Sequence, residues 1–172
     1  RLARRLAAFQ RAAPVAAADS PWGRPEDIAA APLRVLDALA ARVAASRPGV
    51  TPDEVLAPLR RWLVDEAGRL REHWQRRRRD GHVREGHGDL HLANIVDLGD
   101  DVTAFDCIEF DPALRWIDVL NDVAFLAMDL QAHGRGDLAG RFMDAYLSET
   151  GDYAGLPAWR HDLVYRALVR AL

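Results

Sequence analysis

The sequence changes its period once, and that change limits the folds open to it. Over residues 26–79, and again from residue 114 onward, apolar residues recur at intervals of three and four, the spacing of helices with a buried face. Between these stretches, from His82 to Asp106, the pattern turns extended. Val83-Arg84-Glu85-Gly86-His87 has strand character, and Ile95-Val96-Asp97-Leu98 and Val102-Thr103-Ala104-Phe105 read as a hairpin closed by Gly99-Asp100-Asp101. The expected fold is α+β and mostly helical, a single domain over residues 1–172. In it a loop at 87–94 and a short β-hairpin at 95–106 are held by helices.

In chain order, a first helix over residues 1–13 stops at Pro14, with Leu2, Leu6 and Phe9 as its apolar stripe. A loop with Trp22 follows, then a helix over 26–46 that Pro32 should start, break or kink. Residues 46–50, with Pro48 and Gly49, close it. Thr51-Pro52-Asp53-Glu54 reads as a helix start, Thr51 and Glu54 forming a capping box and Pro52 sitting in the first turn. That helix should reach Arg79 and end at Asp80-Gly81. The run Leu114 to Asp129 is apolar enough for a helix buried on more than one side. Gly134-Arg135-Gly136 ends it, and two amphipathic helices follow, over 137–149 and 157–172.

The net charge of -3 supplies no field to recruit nucleic acid or an anionic membrane. Arg76-Arg77-Arg78-Arg79 lacks the interleaved aromatics of a strand-binding surface. It reads as a set of solvated cations complementing a helix C-terminus. No apolar run approaches a membrane span. The lone Cys107 cannot form an internal disulfide, so a cytoplasmic location is expected. The basic start has no continuous apolar segment or cleavage site and reads as a packed helix, not a targeting peptide. With no initiator Met, and a final helical run with no stop signal, the chain is expected to be a piece of a longer protein.

The loop His87-Gly88-Asp89-Leu90-His91-Leu92-Ala93-Asn94 and the strand ending at Asp106 carry the chemistry. Phosphoryl transfer from ATP to a hydroxyl requires a carboxylate to orient that hydroxyl and take its proton, and oxygen ligands to hold Mg²⁺ against the phosphates. Magnesium takes one or two protein carboxylates and leaves places for phosphate and water. Asp89 is the candidate base, with Asn94 and Asp106 as the metal ligands.

His87-x-Asp89-Leu90-x-x-x-Asn94 resembles the catalytic-loop pattern of protein kinases, with Gly88 in place of Arg. With that Gly, the stretch is similar to the aminoglycoside phosphotransferase and choline kinase family. His87 to Ile95 followed by Phe105-Asp106-Cys107-Ile108-Glu109-Phe110 resembles a bacterial branch of it, sometimes fused to a P-loop ATPase domain. The resemblance implies the C-terminal lobe of a protein-kinase-like fold, with Asp89 as base and Asn94 and Asp106 on Mg²⁺. It implies ATP as co-substrate and a small-molecule hydroxyl as acceptor. Cys107 and Ile108 depart from the Phe and Gly of the kinase metal motif. Asp118 takes the place of a helix-start Asp that hydrogen-bonds the loop backbone, and His87 that of a structural hydrogen-bonder. Glu109 and Asp111 are further candidates for metal or substrate. Were the acceptor cationic, Asp122, Asp129, Asp144 and Glu149 would be available, though most read equally as solvated helix faces.

Two other readings compete. His82, His87, Asp89 and His91 carry ligand types for Zn²⁺ or Fe²⁺ and allow a metal-dependent hydrolase, which leaves Asn94 and Asp106 without a task. A non-catalytic interaction module is the other. All 23 basic residues are Arg, and no Gly-rich phosphate loop precedes residue 87, so the lysine and glycine clamp of a kinase is missing. The phosphotransferase reading therefore expects an N-terminal nucleotide-clamping lobe elsewhere in the same polypeptide.

Overall fold

The computed structural model describes residues 1–46, 49 and 51–172, and of residues 52–54 only the backbone. It is mostly helical, with two small antiparallel sheets. The elements are α1 (Leu2–Ala12), α2 (Pro25–Ser46), α3 (Pro52–Arg79), β1 (Val83–Glu85), β2 (Ile95–Asp97), β3 (Val102–Ala104), α4 (Pro112–Arg115), β4 (Trp116–Asp118), α5 (Val119–Ala132), α6 (Gly136–Thr150) and α7 (Trp159–Ala171). Short 3₁₀ turns cover Leu92–Asn94 and Tyr153–Ala158.

Helices α1, α6 and α7 gather around α5, while α2 and α3 pack on each other and α2 on α7. The residues of α5 from Val119 to Leu130 are all buried, so it has no solvent face along that length. Leu120, Val123, Leu126 and Ala127 share a core with Leu6 and Ala7 of α1, Phe142 and Tyr146 of α6, and Leu90 of the loop. Each fully buried side chain of Leu or Phe size stabilises by about 1.5–3 kcal/mol, so this seam anchors everything attached to it. A second cluster joins Leu36 of α2, Leu63 of α3 and Leu168 of α7. Among the described residues no helix is long and apolar enough to cross a membrane.

Several local expectations change. The single helix predicted from Leu114 is divided: α4 gives one turn, Trp116–Asp118 runs extended, and α5 begins at Val119. The three residues of β1 need partners for their backbone groups, and β4 supplies them in the register Val83↔Asp118, Arg84↔Ile117 and Glu85↔Trp116. Asp118 then caps α5 by accepting from the Leu120 amide at 3.0 Å. The hairpin pairs Ile95↔Ala104, Val96↔Thr103 and Asp97↔Val102. Pro32 lies inside α2, which continues past it. Thr51 flanks α3 without a side-chain cap bond among the described residues. The turn around Pro48 and the Glu54 half of the capping box lie outside them.

In α1 the inward face is Ala3, Leu6, Ala7 and Gln10, while Phe9 is 47% exposed. Gln10 earns its buried place through hydrogen bonds: its Nε2 donates to the Val119 carbonyl at 2.9 Å, and its Oε1 accepts from the Tyr146 hydroxyl at 2.7 Å. Burial, with Asp152 adding to it, pushes the Tyr146 phenol well above its ordinary value. Gln10 thus ties α1 to both α5 and α6.

Candidate active site

The loop at 87–94 is fixed from outside by buried charged side chains. Asp122 of α5, fully buried, accepts from the backbone amides of His87 and Gly88, each at 2.8 Å. Asp129, also on α5 and 3% exposed, accepts from the Leu92 amide at 2.9 Å. Arg166 of α7 donates from Nη1 to the Gly88 carbonyl at 2.9 Å and lies over the Phe125 ring, 4.6 Å from its centre. Charge-assisted bonds of this kind are about twice as strong as neutral ones.

The glycines make this approach possible. A Cβ on Gly86 would collide with the Asp122 carboxylate, and one on Gly88 would stand 2.7 Å from the Leu114 carbonyl oxygen. Gly88 also has φ +82°, a conformation other residues adopt only with strain.

On this frame Asp89 is partly exposed, and its neighbours converge on it. The Asn94 Nδ2 donates to the Asp89 carbonyl at 2.9 Å and to its Oδ2 at 3.1 Å. His91 places Nε2 3.2 Å from the same Oδ2. His87 accepts the Asp89 amide on Nδ1 at 3.3 Å, so its Nε2 carries the hydrogen and donates to the Phe105 carbonyl at 2.8 Å.

Asp106 follows β3 and is exposed, with φ 60°, in the left-handed region. Asp reaches that region more readily than most side chains. Its neighbours are bound to the loop on both sides. The Phe105 amide donates to the Asn94 carbonyl and the Ile108 amide to the His87 carbonyl, both at 3.0 Å. Asp106, His87 and Leu90 line a cavity of ≈ 500 Å³ against α1, with Leu2, Leu6 and Phe9 on its far wall.

The expectation for Asp118 is corrected. Its carboxylate accepts from Arg77 Nε at 2.5 Å and Nη2 at 2.8 Å and from the Leu120 amide, and among the described residues makes no bond to the loop backbone. Asp122, one helical turn on, binds the loop backbone instead. Arg77 is likewise not a solvated cation but 4% exposed, bridging Asp118 and Asp152. These carboxylates hold its guanidinium above the ordinary arginine value against the opposing effect of burial, the largest single influence. Asp122 and Asp129 are not solvated faces either. Of the other carboxylates, Asp111 caps α4 through the Ala113 amide at 2.9 Å, Glu149 pairs with Arg11 at 3.1 Å, and Asp144 and Glu109 are exposed.

The histidines of the hydrolase reading diverge. His82 Nδ1 lies 3.6 Å from Asp152, His87 is committed to backbone, and His91 alone of the three approaches the Asp89 carboxylate among the described residues. Among the described residues no group of three or more His, Cys, Asp or Glu is placed to hold a metal ion.

Sequence reasoning names Asp122 and Asp129 only as carboxylates for a cationic acceptor, not as holders of the loop backbone, and does not find Arg166 at all. One signal was present: a carboxylate inside a run apolar on all sides must find a partner in the interior.

Among curated proteins the chain is similar to the Mycobacterium tuberculosis H37Rv protein "Uncharacterized protein Rv2004c", at 40% identity over 107 residues. "Uncharacterized protein Mb2027c" of Mycobacterium bovis matches to the same extent, 61% of this chain and 20% of the relative. The chain thus spans about a fifth of the length of these relatives. No protein-family model matches the chain, and no solved structure does.

Proposed function

We propose that residues 87–106 form the phosphoryl-transfer half of a small-molecule kinase, of the kind that the aminoglycoside phosphotransferase family resemblance implies, in the C-terminal lobe of a protein-kinase-like fold. The observation that carries this reading is the loop in which Asn94 clamps the Asp89 carboxylate at 3.1 Å, with the backbone on either side of Asp106 hydrogen-bonded to the same loop at Asn94 and His87. Asp89 accepts the proton of the acceptor hydroxyl. The acceptor oxygen then bonds to the γ-phosphorus as the bond to the ADP oxygen breaks.

The donor set suits Mg²⁺: because the Asn94 nitrogen is spent on Asp89, its Oδ1 is the atom left for a cation, and Asp106 adds one carboxylate. Bound there, Mg²⁺ would neutralise phosphate charge. The lysine and glycine-loop clamp on ATP is assigned to sequence outside these 172 residues. The divergence of His82, His87 and His91 weighs against the hydrolase reading.

In the full-length protein, Asp89→Ala should lower phosphotransfer to a responsive hydroxyl compound by at least about 10²-fold, with an unchanged circular dichroism spectrum. Wild-type turnover by that variant would remove Asp89 as the base.

A further inference from the structure

Asp89 has two carboxylate oxygens in different circumstances. The contacts from His91 Nε2, at 3.2 Å, and Asn94 Nδ2, at 3.1 Å, both fall on Oδ2. Among the described residues none falls on Oδ1. The Asn94 contact is a hydrogen bond, whereas His91 Nε2 stands at ion-pair distance without hydrogen-bond alignment, and a small turn of the ring would let an Nε2–H donate to the ionised carboxylate, which has no hydrogen of its own. The other ring nitrogen, Nδ1, is buried without a hydrogen-bond partner. A bare Nδ1 lone pair there is less costly than an unpaired N–H, which places the ring hydrogen on Nε2. The ring cannot easily turn away: His91 is 8% exposed and packs edge-on against Phe125, with centroids 5.5 Å apart.

We infer that His91 is a positioning residue for Asp89: in the working enzyme its Nε2–H closes onto Oδ2, the oxygen Asn94 already holds, so that Oδ1 is the oxygen presented to the acceptor hydroxyl. This rests on the phosphotransferase reading. A carboxylate fixed by two donors has one free oxygen in one orientation, and near-attack geometry is sensitive to displacements of about 1 Å, which cost up to about 10²-fold in rate. The role differs from that of Asp122 and Arg166, which hold the loop backbone and would affect folding as much as chemistry.

The test uses the full-length protein with ATP, Mg²⁺ and a responsive hydroxyl acceptor, and combines spectroscopy with kinetics. Imidazole ¹⁵N spectra should show His91 as the Nε2–H tautomer, with its Nε2 resonance displaced in Asp89→Ala. An Nδ1–H tautomer, or a resonance indifferent to Asp89, overturns the pairing without reference to activity. In kinetics, His91→Leu should lower kcat by about 10–10²-fold while the KM values for ATP and acceptor stay near wild type. His91→Gln, whose amide can donate to the same Oδ2, should recover much of that loss. The double variant with Asp89→Ala should be no slower than Asp89→Ala alone. Wild-type turnover with an indifferent His91→Leu, or no recovery in His91→Gln, overturns the role while leaving the phosphotransferase reading intact. Absence of phosphotransfer from the wild-type protein overturns that reading, and the role of His91 with it.

Discussion

Every nitrogen of the Arg77 guanidinium faces a carboxylate oxygen, at distances from 2.5 to 2.8 Å. Removing the cation would leave the part-buried Asp118 and the buried Asp152 with like charge, and breaking such a pair costs about 3–5 kcal/mol. Arg77→Met should therefore lower the urea midpoint sharply, whereas Arg79→Met, at an exposed position, should stay within about 0.5 kcal/mol of wild type. Equal effects would show that Arg77 gains nothing from its partners. The two residues are indistinguishable in the run Arg76-Arg77-Arg78-Arg79, because which arginine points inward depends on the rotation of α3 against β4. The residue types and spacing of Asp89, Asn94 and Asp106 marked out the loop as the candidate site, and Asn94 does meet the Asp89 carboxylate. The frame behind them was not legible, because Asp122, Asp129 and Arg166 act on backbone atoms and have no required spacing from the loop.

At the scale of elements, the helices were legible from periodicity, and the exceptions came where long-range pairing overrides local pattern. Trp116–Asp118 is apolar enough for helix, yet β1 takes it as a strand. The stripe of α1 was read as Leu2, Leu6 and Phe9, yet the hydrogen bonds of Gln10 set the helix rotation. On α3, burial holds His73 below the usual histidine value, with Arg77 acting in the same direction. Its Nε2 is buried without a hydrogen-bond partner. As pH falls, the unfolded chain therefore takes up this proton before the folded one does, and stability declines through and below about pH 6.5. Thermal melts from about pH 7.5 down to 5.5 should show a steeper loss in wild type than in His73→Leu. Parallel slopes would remove His73 from the acid sensitivity of the fold.

At the scale of the whole molecule, the α5 seam and the α2–α3–α7 cluster are joined through α7, and a smaller apolar cluster of Leu70, Trp74 and Ala158 stands beside them. The proposed division of labour, with the nucleotide clamp outside residues 1–172, predicts a folded but idle fragment. Residues 1–172 alone should melt cooperatively and release no ADP above background, while the full-length protein turns over; turnover by the fragment would end that division. The buried attachment of the loop to α5 and α7 also bears on its portability. His87 to Asn94 can be copied as a string, but its conformation is specified by Asp122, Asp129 and Arg166, the last of them 78 residues from Gly88. Grafted onto a scaffold that lacks those three, the string would keep its letters and lose its shape. A motif search that stops at Asn94 finds only half of the instructions for the site, and the other half is dispersed through two later helices.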